Sequence, residues 1–104
     1  MIPVDETGFE QEVLKAEVLV VLDFGATWCR PCKKLDPIME ELAQQYEGKA
    51  KIRKVDVGVA RGIAEKYRVL SVPQILFFKN GNVVEHFIGL VSKAKLVESF
   101  EKHL

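Results

Sequence analysis

The sequence has no excess of charge of either sign. Its 104 residues include 15 lysine and arginine residues and 15 aspartate and glutamate residues, so the formal net charge is zero. A strongly basic surface is the usual electrostatic signature of proteins that bind nucleic acid or anionic membranes, and this chain gives no reason to expect either partner. Its content of 48% hydrophobic and 29% charged residues is typical of a folded domain rather than a disordered chain.

Long apolar runs are also missing. The longest, residues 18–22, is far shorter than the roughly 20 apolar residues that a membrane-spanning helix requires. Residues 1–12 contain several acidic side chains and lack the apolar core of a secretory signal peptide. We therefore expect a cytoplasmic protein that does not bind membranes.

No internal repeat, low-complexity tract or linker rich in proline, glycine and serine divides the chain. Its length is close to the commonest size of one domain, which can bury a single continuous core. We therefore predict one domain over residues 1–104.

Cysteine and histidine are scarce, with two residues of each. Cys29 and Cys32 have the close spacing found in zinc sites, redox centres and short structural disulfides. Zinc would need two further ligands, and His86 and His103 do not have the spacing of such ligands. A structural disulfide that closes so short a loop would stabilise the fold poorly. Redox catalysis without a bound metal is the interpretation that we prefer.

Apolar patterning predicts strands that alternate with helices, followed by a hairpin. We expect strands over residues 2–4, 18–24, 51–57, 74–79 and 82–88, with a turn at Asn80-Gly81 between the last two. We expect helices at a capping box formed by Thr7 and Glu10, between Trp28 and Gly48 with a kink at Pro37, over residues 59–67, and from about Ser92. This order indicates an α/β fold with a mixed sheet, in which parallel strands have right-handed crossovers and helices cover both faces.

The two cysteines fall where the second strand meets the long helix. At the start of that helix, unpaired backbone N–H groups and the helix dipole would stabilise a thiolate. Pro31 suits the first turn because its missing N–H would have no helical partner there. We expect Cys29 to be the exposed thiol that attacks a substrate, and Cys32, one turn deeper, to resolve the mixed disulfide.

The motif WCRPCK, preceded by VLDF and followed in order by KVDV, SVPQ and FIG, resembles the thioredoxin family over essentially the whole chain. The usual family signature is WCGPC, so Arg30 is a departure at one position. The resemblance implies the thioredoxin fold, with a central five-stranded mixed β-sheet flanked by four α-helices. It also implies a monomer that reduces disulfides in other proteins through a reversible Cys29–Cys32 disulfide, with no other cofactor and with thioredoxin reductase as electron source.

Further site residues follow from the same resemblance. Asp23 matches the buried aspartate beneath the second cysteine, and Lys54 matches the lysine near it. Burial should raise the pKa of Asp23 and Lys54 should oppose that rise, so that Asp23 can take a proton from Cys32. Pro73, preceded by Val72, matches the family's cis-proline, and its loop would offer the Val72 backbone to an extended substrate peptide.

The expected contact surface for substrates includes Trp28, Arg30 and Pro31. Gly89 matches a family glycine that leaves a flat surface near the site, although it could equally be an ordinary strand-ending glycine. Three other positions depart from the family pattern: Gly25 replaces a common aromatic residue, Gln74 replaces a usual threonine after the cis-proline, and Arg68 replaces a helix-ending glycine.

Two other functions stay open on the sequence alone. One is a specialised, less reducing thiol–disulfide oxidoreductase that serves a single partner, which Arg30 and Gly25 leave possible. The other is a non-catalytic module that uses the fold to bind a larger assembly. The intact cysteines and Asp23 argue against the second of these.

Overall fold

A computed structural model describes all residues from 1 to 104 and contains a five-stranded sheet. The strands are β1 (Ile2–Pro3), β2 (Leu19–Gly25), β3 (Ala50–Asp56), β4 (Gln74–Lys79) and β5 (Asn82–Ile88), and they lie side by side in the order β1-β3-β2-β4-β5. Pairing is parallel between β1 and β3 and between β2 and β3, and antiparallel between β2 and β4 and between β4 and β5. The mixed sheet predicted from the sequence is confirmed.

Four helical segments flank this sheet: α1 (Glu6–Phe9), which continues as a π-helical turn (Glu10–Leu14), α2 (Arg30–Gln45), α3 (Arg61–Lys66) and α4 (Lys93–His103). The predicted capping box is wrong, because the Asp5 carboxylate caps α1 by accepting the backbone N–H groups of Thr7 and Gly8. Pairing with β3 continues up to Val4, whose N–H donates to the carbonyl of Lys54, so the chain leaves the sheet at Asp5. None of the helices is both long and apolar enough to span a membrane.

Strand β2 divides the core into two clusters because its side chains alternate between the two faces of the sheet. All of its residues are buried, as predicted for a strand in the middle of a sheet. One face packs against α1 and α3, and its cluster includes Val20, Leu22 and Phe24. The other face packs against α2 and α4 through Leu19 and Val21. Asp23 continues this second row and therefore points toward the α2 side of the sheet.

Helix α2 is anchored to the sheet by Leu35, Met39 and Leu42, which are fully buried and recur at helical spacing. Pro37 lies inside the helix on an exposed position. The helix ends at Gln45, and Gly48 adopts a φ of 83° in the turn to β3. Because α2 has 16 residues, its two ends lie about 24 Å apart at 1.5 Å per residue. Its start lies at the ends of β2 and β3.

The β4–β5 hairpin has the bounds that the sequence predicts. Its turn contains Asn80 and Gly81 with φ angles of 52° and 81°, which is the left-handed backbone of a type I′ turn. A Cβ at Gly81 would lie 3.0 Å from the carbonyl oxygen of Leu14. The turn therefore requires glycine there for both its backbone conformation and its close contact.

Candidate active site

Cys29 and Cys32 are joined by a disulfide at the start of α2, with their Cα atoms 5.3 Å apart. Cys29 is the residue that caps the helix, and its Sγ accepts the backbone N–H of Cys32 at 3.2 Å. That N–H is one of the donors that a helix start leaves without a partner inside the helix. A sulfur atom thus takes the place of the side-chain oxygen that normally caps a helix.

Cys29 is less accessible than the sequence predicts. Its exposed fraction is 4%, and that of Cys32 is 1%. The pair packs with Ala26 and against the partly buried side chains of Val57 and Val72. The prediction of an exposed Cys29 is wrong for the oxidised protein, because the disulfide directs its sulfur toward Cys32 and these neighbours cover it.

Asp23 is an ionisable group enclosed in the core beside Lys54. The register of β2 and β3 pairs the two residues, and Lys54 Nζ lies 3.7 Å from Asp23 Oδ2. Asp23 has no exposed surface, and neither of its carboxylate oxygens accepts a hydrogen bond. Burial raises the pKa of Asp23 from 3.8 to about 6, and the Lys54 ammonium opposes that rise. A carboxyl group with such a pKa can gain and lose a proton near neutral pH.

Asp36 is a third charged group at this site that the sequence reasoning missed. Its Oδ1 lies 2.5 Å from Lys54 Nζ, so the lysine contacts two carboxylates and lies closer to that of Asp36. The negative charge of Asp36 adds to the rise in the pKa of Asp23. Asp36 follows Cys32 by four residues, and this spacing places both on the same face of a helix. That spacing is the signal that could have identified it.

Gly25 borders both Lys54 and Cys32. A Cβ added at Gly25 would lie 3.3 Å from Lys54 Nζ and 3.4 Å from Cys32 Sγ. The end of the lysine side chain therefore occupies space that a bulky residue at this position would compete for. Where the family commonly has an aromatic residue beside Asp23, this chain has the end of the Lys54 side chain.

Gln74 fixes the loop that faces the cysteines. It is 4% exposed, and its Nε2 donates to the carbonyl oxygen of Ser71 at 2.9 Å. Its Oε1 lies 2.7 Å from His86 Nε2 on β5. The sequence indicated no special role for His86, whereas the structure ties it to this loop through Gln74.

The Val72–Pro73 peptide bond is cis, as the resemblance implied. The carbonyl oxygen of Pro73 accepts the N–H of Gly89 at 2.9 Å. Gly89 follows β5 directly and has a φ of 87°, so it both ends the strand and borders the site. The backbone N–H and carbonyl of Val72 make no hydrogen bond within the chain.

A groove of about 350 Å³ runs between the start of α2 and this loop, and it is lined by Arg30, Pro31, Lys34, Val72, Pro73, Gly89 and Leu90. The structure thus brings together five of the six residues predicted to contact substrate. The sixth, Trp28, does not line the groove but is 77% exposed immediately before Cys29. Lys34 and Leu90 were not predicted as contact residues.

A family model described as Thioredoxin matches residues 1–102 of this sequence. The chain belongs to the thioredoxin family. Membership and the Cys29–Cys32 disulfide together make it a dithiol–disulfide oxidoreductase.

Three curated thioredoxins show how far the similarity extends. The chain is 45% identical over 101 residues to thioredoxin M-type, chloroplastic, of Spinacia oleracea, covering 97% of this chain and 56% of the spinach protein. It is 43% identical over 101 residues to thioredoxin 1 of Nostoc sp., covering 97% and 94%. It is 43% identical over 104 residues to thioredoxin of Staphylococcus aureus, covering 100% and 98%. The chain therefore spans slightly more than half of the spinach relative and nearly all of the other two.

Replacing Asp36 with asparagine is expected to lower the pKa of Asp23 below about 6. The change removes a nearby negative charge and frees the Lys54 ammonium to move toward Asp23, and both effects favour the ionised form of Asp23. An NMR titration of the Asp23 carboxyl carbon measures this pKa in the oxidised protein, where no thiol titrates.

The matched control is Glu41→Gln. Glu41 is an exposed carboxylate on the same helix and pairs with Lys93 at 2.8 Å instead of with Lys54, so its loss removes the same charge without freeing Lys54. An Asp23 pKa that is unchanged or higher in Asp36→Asn would contradict the assigned role of Asp36.

Proposed function

We propose that the chain reduces disulfide bonds in other proteins and becomes oxidised in the process. The observation that carries this proposal is the Cys29–Cys32 disulfide at a helix start, beside a groove of about 350 Å³. The sulfur pair can store two electrons, and the groove can hold the substrate segment whose disulfide receives them.

The reaction proceeds through two exchanges. In the reduced protein, the Cys29 thiolate attacks one sulfur of the substrate disulfide, and the substrate bond breaks as a mixed disulfide forms and one substrate thiolate leaves. The Cys32 thiolate then attacks Cys29 Sγ, which releases the second substrate thiolate and closes the Cys29–Cys32 disulfide. Two electrons pass from the protein dithiol to the substrate.

Asp23 assists the second exchange by accepting the proton of the Cys32 thiol. A thiol must lose its proton to become a nucleophile, and a carboxylate with a pKa of about 6 is a suitable base near neutral pH. Lys54 limits the rise in that pKa, since its ammonium favours the ionised carboxylate. We assign Asp23 and Lys54 to proton transfer.

Substrate binding is supported by the free backbone of Val72. Its N–H and carbonyl have no partner within the chain, and they border the groove beside Cys29. Backbone pairing with an extended peptide would use these groups without reading a particular sequence. It would allow many substrate proteins to bind.

A reductase of the thioredoxin reductase class would return the electrons, and the chain would act as a cytoplasmic monomer. No bound cofactor is required, because the two sulfur atoms carry the electrons themselves.

Insulin reduction tests the proposed function. With dithiothreitol as electron donor, the wild-type chain should accelerate precipitation of the insulin B chain, measured as turbidity, and Cys29→Ser should abolish the acceleration. The matched control is Ser92→Ala, which removes only a helix-capping hydroxyl of α4. Wild-type protein that does not accelerate the reaction would favour the non-catalytic binding module.

A further inference from the structure

We propose that the groove beside Cys29 selects disulfides whose neighbouring residues carry negative charge. The inference rests on the proposed reduction of protein disulfides and names the substrate class. The residues that line the groove include two cations, Arg30 and Lys34, and no acidic residue. An acidic peptide segment is the occupant that complements this lining.

The cations beside the groove are not neutralised by the protein itself. Arg30, Lys33 and Lys34 are exposed, and none of them forms a salt bridge. Residues 24–35 contain no acidic side chain, and the next one, Asp36, is engaged with Lys54. A chain of zero net charge therefore presents a local positive surface at its reactive end.

The spacing of the two lining cations fits an extended peptide. Arg30 and Lys34 are four residues apart on α2, so they share one face of the helix and lie about 6 Å apart along its axis. In an extended peptide, residues two positions apart point the same way and are separated by roughly 6.6 Å. Two carboxylates in an acidic-x-acidic arrangement can thus meet both cations at once.

Apolar groups around the site add contact area but do not distinguish charge. Leu90 lines the groove and is 56% exposed. Trp28 and Leu70 are 77% and 93% exposed. They would bind apolar side chains of any substrate, so discrimination between substrates of similar apolar content falls to Arg30 and Lys34.

Three peptides that differ only in charge test the selection. Each contains one disulfide, and beside one cysteine each carries two glutamates, two glutamines or two lysines spaced two positions apart. The second-order rate constant of reduction by the pre-reduced protein is measured for each. For each protein, the rate constant with the glutamate peptide is divided by that with the lysine peptide. Comparing this ratio between wild type and Lys34→Glu removes the contributions of the intrinsic reactivity of the peptides and of Cys29.

We expect Lys34→Glu to lower the glutamate-to-lysine ratio by about threefold to tenfold at low ionic strength. The effect should shrink in high salt because these charges are exposed. The matched control is Lys49→Glu, which makes the same charge change at an exposed position beyond the far end of α2. It should leave the ratio unchanged.

A ratio that is equal in wild type and Lys34→Glu would overturn the selection, as would an equal shift in Lys49→Glu. In both cases the peptides would still be reduced, so the proposed function would stand. If the protein reduced none of the three peptides, that result would contradict the proposed function itself, and the selection with it.

Discussion

Replacing Asp23 with alanine is expected to stabilise the oxidised protein by about 2 kcal/mol at pH 8. Burial holds the pKa of Asp23 at about 6 instead of 3.8, and each unit corresponds to about 1.4 kcal/mol, so ionising this carboxyl in the core costs on the order of 3 kcal/mol. The small cavity left by alanine offsets about 1 kcal/mol of the gain. The same variant should reduce insulin more slowly, because Cys32 loses its base.

The raised pKa of Asp23 makes the stability difference between wild type and Asp23→Ala depend on pH. Because the pKa of Asp23 is higher in the folded state than in the unfolded state, the folded protein binds a proton more readily. The wild type therefore loses stability relative to Asp23→Ala as the pH rises from 3.8 to about 6. Above about pH 6 the difference in free energy of unfolding between the two proteins is constant. Below pH 3.8 the stability gained by the alanine variant disappears.

Urea denaturation at pH 4 and pH 8 gives both free energies of unfolding. Asp23→Asn is the matched control because it removes the charge without leaving a cavity. A large loss of stability in Asp23→Ala at pH 8 would show that the carboxylate is a structural partner of Lys54 instead of an enclosed proton acceptor.

Replacing Cys32 with serine is expected to stop the reaction at the mixed disulfide. Without the second thiol, the bond between Cys29 and the substrate cannot be resolved, so insulin turnover should fall by at least about a hundredfold. A covalent adduct of one variant chain and one substrate chain should accumulate. Mass spectrometry after proteolysis identifies the cysteine that carries the substrate.

The reciprocal variant, Cys29→Ser, is the control for the order of attack. It should accumulate little adduct, because Cys32 is 1% exposed and lies one turn inside the helix. An adduct that forms equally well through Cys32 would contradict the order of attack assigned to the two cysteines. This test matters because Cys29 is itself 4% exposed in the oxidised protein.

Elements specified by local sequence were predicted best. The hairpin bounds follow from Asn80-Gly81, since few residue pairs adopt a type I′ turn so readily. Strand β2 follows from its apolar run, and the position of Asp23 in that run predicts a buried carboxyl. Helix α3 was predicted too long, because Asp56 accepts the N–H groups of Gly58 and Ala60 and holds a turn where the pattern suggested helix.

The missed features of the site depend on contacts between distant segments. The contact of Asp36 with Lys54 requires α2 to lie over β3. No local sequence pattern predicts how closely a helix approaches a strand. The burial of Cys29 depends on Val57 and Val72, which belong to two other loops. Family resemblance supplied Val72, Pro73 and Gly89, whereas Lys34 in the groove emerged only from the packing of α2 against the loop.

The turn between α2 and β3 lies at the opposite end of the molecule from the cysteines. Gly48 is exposed there, and a Cβ at this position would meet no atom within 4 Å. The consequence is practical: a fluorophore, an affinity tag or a surface linker attached to the exposed side chain at position 47 would be carried about 24 Å from the disulfide. Immobilised protein attached through this turn would keep its reactive end free.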